Sequence, residues 1–135
     1  MIKRVDQIAV AVKDLDGAKR FYAEVLGLPM VHTEVLEEER VKVALFKVGE
    51  VGIELVEGIG EENPLAKFLA KRGEGLHHIS LEVEDLEGTL AKLERVGVPL
   101  IDKAPRKGAS GTTVAFLHPR GCHGVLIELV EKLAG

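Results

Sequence analysis

A single cysteine, Cys122, is all that the 135-residue chain holds, so no intramolecular disulfide framework supports it. No apolar run approaches the roughly 20 residues that a membrane-spanning helix needs. There is no basic block either. Eighteen Lys and Arg against twenty-two Asp and Glu leave a net charge of −4, with a pI of about 5.8, which argues against nucleic acid as a partner. The opening residues, Met1-Ile2-Lys3-Arg4-Val5, enter an alternating pattern at once, so no secretory signal peptide is expected and the cytoplasm is the expected location. Short-range metal motifs such as HExxH are also missing. What remains, 46% hydrophobic and 30% charged residues, is the composition of one ordinary globular domain spanning 1–135.

Within that domain the chain repeats itself. Gln7-Ile8-Ala9-Val10-Ala11-Val12-Lys13-Asp14-Leu15 aligns with His78-Ile79-Ser80-Leu81-Glu82-Val83-Glu84-Asp85-Leu86 at an offset of 71. Later, Gly52-Ile53-Glu54-Leu55-Val56-Glu57 matches Leu126-Ile127-Glu128-Leu129-Val130-Glu131. Ordered agreement across strand, turn and helix indicates an internal duplication. The modules are expected at about 1–57 and 75–135, with a link over 58–74 that includes a short helix, 64–71.

Each module reads as βαβββ. Period-two alternation predicts strands at 7–12 and 78–83. Helices follow over 15–26 and 86–96, with Asp14 and Asp85 as N-caps and Gly27 and Gly97 as stops. Further strands are expected at 29–36, 40–48 and 51–57, then at 100–105, 112–117 and 124–131. The fold class is therefore α+β, two βαβββ modules that bury one sheet face against their helices and whose other faces are expected to form a curled mixed sheet around a cavity.

Four polar residues fall at matching places in the two repeats: Gln7 with His78, and Glu54 with Glu128. Either glutamate alone, set between Ile and Leu on a strand, reads as exposed to solvent. Recurrence of the same residue type at the same place favours a shared role. A carboxylate in apolar sequence is costly unless it is paired, metal-bound or exposed. One imidazole, two carboxylates and an amide oxygen make an N/O donor set that suits Zn²⁺, Co²⁺, Mn²⁺, Ni²⁺ or Fe²⁺. His77 alternates away from His78 and is expected to be structural, and His32 to be peripheral. His118 and His123 are assigned to loop hydrogen bonding, and Cys122 is discounted as a nucleophile.

At these residues the sequence resembles the vicinal oxygen chelate superfamily, and within it the methylmalonyl-CoA epimerases. The resemblance rests on Asp6-Gln7-Ile8 and His77-His78-Ile79, on the acidic segment Glu37-Glu38-Glu39-Arg40-Val41, and on the tail from Val114 through His118-Pro119-Arg120-Gly121-Cys122-His123 to Leu129. It implies that the curled mixed sheet encloses a metal-centred cavity, with a divalent metal ion, Co²⁺ foremost and Zn²⁺, Mn²⁺ or Ni²⁺ as alternatives, held by Gln7, Glu54, His78 and Glu128. The epimerases usually carry His where this chain has Gln7, whereas some glyoxalase I enzymes use a Gln, Glu, His, Glu quartet.

By the same resemblance the substrate is an acyl-CoA, and the reaction is epimerisation at C2 of methylmalonyl-CoA. Inversion requires an acid and a base on opposite faces of a planar intermediate. The resemblance aligns these with Glu38, Glu39 being its nearest rival, and with Glu128. Lys103, Arg106 and Lys107 are candidates for the CoA phosphates. The expected assembly is a homodimer without nucleic-acid or membrane partners. Two competing functions are a glyoxalase I-type isomerisation of a thiol–methylglyoxal hemithioacetal, favoured by Gln7, and metal-free binding of a small molecule.

Overall fold

Alternating small and β-branched residues draw the first ten-residue run into strand β1, Ile2–Ala11. In the computed structural model, which describes residues 1–132, β1 is followed by α1, Leu15–Arg20, and then by β2, Met30–Leu36, β3, Val41–Val48, and β4, Val51–Gly58. The short helix α2, Ala66–Arg72, leads to β5, Gly75–Val83, and α3, Leu86–Arg95. The chain ends through β6, Arg106–Lys107, β7, Thr113–Leu117, and β8, Ile127–Glu131. The last three residues of the expected second module, 133–135, lie outside the described residues. Among those described, no helix is long and apolar enough to cross a membrane.

The backbone divides into two compact units, one of residues 7–77 and one of residues 1–6 with 78–132. In the first, the strand order is β2-β3-β4-β1, with β1 parallel to β4 and the hairpin pairs antiparallel. In the second it is β5-β8-β7-β6, with β5 parallel to β8. Mixed sheets with flanking helices make the chain α+β, as its alternation predicts.

The two units use corresponding strand registers. Ile8 pairs with Ile53 and Val10 with Leu55, while Ile79 pairs with Ile127 and Leu81 with Leu129. Likewise Ala44 opposes Leu55, and Ala115 opposes Leu129. In unit 7–77, Val12, Leu15, Ala44, Phe46 and Leu55 form the core beneath α1. In the other unit, α3 inserts Leu86 and Leu90 against Val83, Ala115, Leu117 and Leu129. Packing of these apolar faces supplies most of what holds six- to ten-residue helices in place, since helices this short are marginal by themselves.

Several local expectations need correction. The first helix continues past Arg20 as a π-type turn over Phe21–Val25, which widens its last turns. Asp14 makes no side-chain cap. The N–H of Leu15 instead donates to Glu57 Oε1 at 2.6 Å, from the end of β4. The second repeat does the same, with Leu86 N–H on Glu131 Oε1 at 2.7 Å, and there Asp85 also accepts from Gly88 N–H at 3.1 Å. A glutamate at the end of each module's last strand thus satisfies the first turn of that module's helix. Glu131→Ala is expected to cost about 1 kcal/mol of stability, the usual price of a lost N-cap, measured as a shift in urea midpoint at unchanged m-value.

Residues 100–105 form no strand. Leu100 makes one bridge to Leu117, and the pairing resumes only at Arg106, because Pro99 and Pro105 offer no N–H to a ladder. Asp102 fills the gap, its Oδ2 accepting the N–H of Phe116 at 2.8 Å. The last strand starts at Ile127 and not at Gly124, since His123 and Gly124 both have positive φ.

Candidate functional site

In unit 78–132 with 1–6, the alternation of β5 sends Leu81 and Val83 under α3 and leaves His78, Ser80 and Glu82 on the other face. Glu128 on β8 is in register with Ser80, and Phe116 on β7 is in register with Glu128. These pairings assemble one polar group. The hydroxyl of Ser80, which is wholly buried, donates to Glu128 Oε1. His78, 8% exposed, places Nε2 3.6 Å from that same oxygen, and its ring meets the Phe116 ring edge-on at 5.2 Å. Burial opposes ionisation of Glu128, but His78, the Ser80 hydroxyl and the positive charge of Arg106 outweigh it and hold the carboxyl below the usual carboxylate range. Glu128 is therefore a fixed anion at neutral pH.

The buried carboxylates of Glu82, further along β5, and of Asp6, on β1, are neutralised by lysine and arginine. Lys132 Nζ lies 2.6 Å from Asp6, while Arg4 Nε and Lys3 Nζ lie 3.1 and 3.4 Å from Glu82. These pairs account for the remaining buried acids of the unit.

In unit 7–77, Gln7, Ala9 and Ala11 share the face of β1 that carries Glu54 and Val56 on β4, Val43 and Leu45 on β3, and His32, Glu34 and Leu36 on β2. One end of this face is closed by α2, whose Phe68 and Leu69 pack with Leu65 on Ala9, Ala11, Val43 and Val56. Polar residues occupy the other end. Glu54 is only 8% exposed, so solvent exposure is not the reason for its place among apolar neighbours. Gln7 is half-buried and sits across from Gly52, one diagonal step from Glu54. His32 is half-buried on the same face of the outer strand β2, its Nε2 2.9 Å from Glu34 Oε1, next to a register shift in that strand.

The structure thus joins His78 to Glu128, and sets Gln7 and Glu54 on one face of one sheet. Among the described residues, no three His, Cys, Asp or Glu side chains converge as a metal-holding group. Glu38 stands exposed in the turn 37–40 between β2 and β3, beside a half-buried and engaged Glu39. His77 points away from His78 and packs on Phe68 at 4.9 Å. His118 Nδ1 accepts the Arg120 N–H at 3.0 Å, an ordinary loop role. Cys122 lies half-buried against the α3 core, and burial raises its thiol pKa, the opposite of what a nucleophile needs.

Three residues of this arrangement escape sequence reasoning: Ser80, Asp102 and Phe116. For Ser80 a signal was available, since it lies two residues after His78 on a strand and hence on the same face. Its counterpart in the first repeat is Ala9, which opposes Glu54 without a hydroxyl.

Residues 6–116 match the Glyoxalase/Bleomycin resistance protein/Dioxygenase superfamily. The human mitochondrial methylmalonyl-CoA epimerase is 35% identical over 129 residues, covering 95% of this chain and 73% of that protein. Among solved structures, a methylmalonyl-CoA epimerase in complex with methylmalonyl-CoA and NH₄⁺ superposes with a TM-score of 0.94 at 38% identity, covering 99% of this chain and 97% of that one. A variant of the Streptomyces coelicolor methylmalonyl-CoA epimerase in complex with 2-nitronate-propionyl-CoA gives the same TM-score, identity and coverage.

Proposed function

The chain belongs to the Glyoxalase/Bleomycin resistance protein/Dioxygenase superfamily, and from that premise we propose that it interconverts the two C2 epimers of methylmalonyl-CoA by removing and returning the C2 proton. The observation that carries this reading is the whole-length likeness to epimerases caught with this acyl-CoA or its nitronate analogue. The C2 proton lies between a thioester and a carboxylate. Its removal in water is slow because the charge that develops on the thioester oxygen has nothing fixed to meet it.

His78, Glu128, Glu54 and Gln7 are proposed to hold a divalent metal ion, Co²⁺ before Zn²⁺, Mn²⁺ or Ni²⁺. The donors fit in kind: a nearly buried imidazole beside a carboxylate kept ionised, a second buried carboxylate, and an amide. When bound, the ion supplies Lewis-acid stabilisation of the charge on the thioester oxygen. The protein does the rest. Ser80 fixes one oxygen of Glu128, so the carboxylate meets the substrate in a single orientation. Glu128 moves the proton on one face of C2. Glu38 is proposed to serve the opposite face, reaching from the turn between β2 and β3.

The test is NMR of methylmalonyl-CoA in D₂O, with EDTA-stripped protein before and after adding Co²⁺. Metal-dependent exchange of the C2 proton above background is expected, and a coupled assay from one epimer is expected to register inversion. Absence of exchange with every divalent ion overturns the epimerase reading.

A further inference from the structure

Resting on the acyl-CoA reading above, we propose that Arg106 is the specificity-determining residue that binds the free carboxylate of the substrate's acyl group. The guanidinium is built into the Glu128 side of the fold. Its Nε lies 3.1 Å from Asp102 Oδ1, while Asp102 Oδ2 accepts the N–H of Phe116 at 2.8 Å. One carboxylate therefore locks both the arginine and the strand beneath it. Arg106 Cζ rests 5.4 Å from the centre of the Phe116 ring, and the same ring meets His78 edge-on. Phe116 is in turn the register partner of Glu128. Arg106, Phe116, His78 and Glu128 form a continuous line on one sheet face.

That position selects between the two anions an acyl-CoA offers. If Glu128 works at C2, the substrate carboxylate is one bond from the reacting carbon, whereas the phosphates of CoA lie a whole pantetheine arm away. An arginine seated one aromatic ring from His78 therefore meets the carboxylate. A planar guanidinium with fixed orientation also matches a carboxylate better than a flexible lysine does. Lys107, by contrast, follows Arg106 on β6 and so points to the opposite face of that strand, and Lys103 is exposed in the preceding loop. These two remain suited to phosphate.

The experiment measures the binding of three probes, methylmalonyl-CoA, propionyl-CoA and free CoA, to the metal-loaded protein by calorimetry. Propionyl-CoA differs from the substrate in lacking the carboxylate. The wild type is expected to favour methylmalonyl-CoA over propionyl-CoA. Arg106→Gln is expected to weaken methylmalonyl-CoA by about 10- to 100-fold while leaving the other two within about twofold. Arg106→Lys keeps the charge without the fork and is expected to fall between. Equal weakening of all three probes would assign Arg106 to the phosphates and overturn the proposal. So would a wild type that does not prefer the carboxylate-bearing probe, or an Arg106→Lys protein that is folded and unchanged in all three affinities. Absence of C2 exchange in a wild type that still shows the preference would sink the epimerase reading alone.

Discussion

Glu128→Gln is expected to abolish metal-dependent exchange at C2, lowering turnover by about 10²–10³-fold or more, the loss seen when one fixed charge-stabilising group is removed. The substitution keeps shape and removes only the anion. Ser80 retains an oxygen to donate to, so the strand pairing of β5 with β8 has no reason to change. What disappears is the ionised oxygen pair beside His78, which the fold maintains against the cost of burial. Metal affinity is expected to fall together with turnover, read by titration of Co²⁺ into stripped protein. Ser80→Ala is the informative companion, because it leaves the carboxylate and frees its orientation. Its expected loss is smaller, about 10-fold, as for other groups that orient a ligand from behind. Full metal content and full activity in Glu128→Gln would refute the proposed centre.

The second large effect separates the two faces of C2. Glu38→Gln is expected to reduce epimer inversion by about 10²–10⁴-fold, the range of a lost general acid–base group. Proton exchange is expected to survive for the epimer whose hydrogen faces Glu128. A general loss of folding or substrate binding would remove both, so the split between inversion and one-sided exchange isolates the base. The two epimers are followed separately in D₂O. Glu38 and Glu39 differ in setting, the first exposed at the turn and the second half-buried and engaged. Loss of inversion in Glu39→Gln with normal turnover in Glu38→Gln would transfer the role to the neighbour.

The matching segments in the two halves of the sequence made much of this readable in advance. Because β-strand side chains alternate with period two, matching Gln7 to His78 and Glu54 to Glu128 also matched their faces, and the registers Ile8–Ile53 and Ile79–Ile127 agree with that. The hidden parts depend on partners distant in sequence. Asp14 has every local mark of a cap, yet Glu57 takes the Leu15 N–H from 42 residues away. Ser80 looks like a neutral strand residue until the parallel pairing with β8 brings it to Glu128. Residues 100–105 carry strand-like composition, but two prolines deny the ladder its donors, and that conflict is decided by the backbone and not by hydropathy.

One feature of the second unit bears on how the chain matures. Residues 1–6 are made well before their partners: Glu82 for Lys3 and Arg4, the backbone of Glu84 for Met1, and, later still, Lys132 for Asp6. Residues 7–77 have their internal contacts available before residue 78 is added, whereas the other unit joins segments that lie far apart in sequence. Such long-separation contacts make closure the slow, high-contact-order step. A nascent chain arrested just short of Lys132 would hold a finished first module and an open second one, with Asp6 still awaiting its counter-charge.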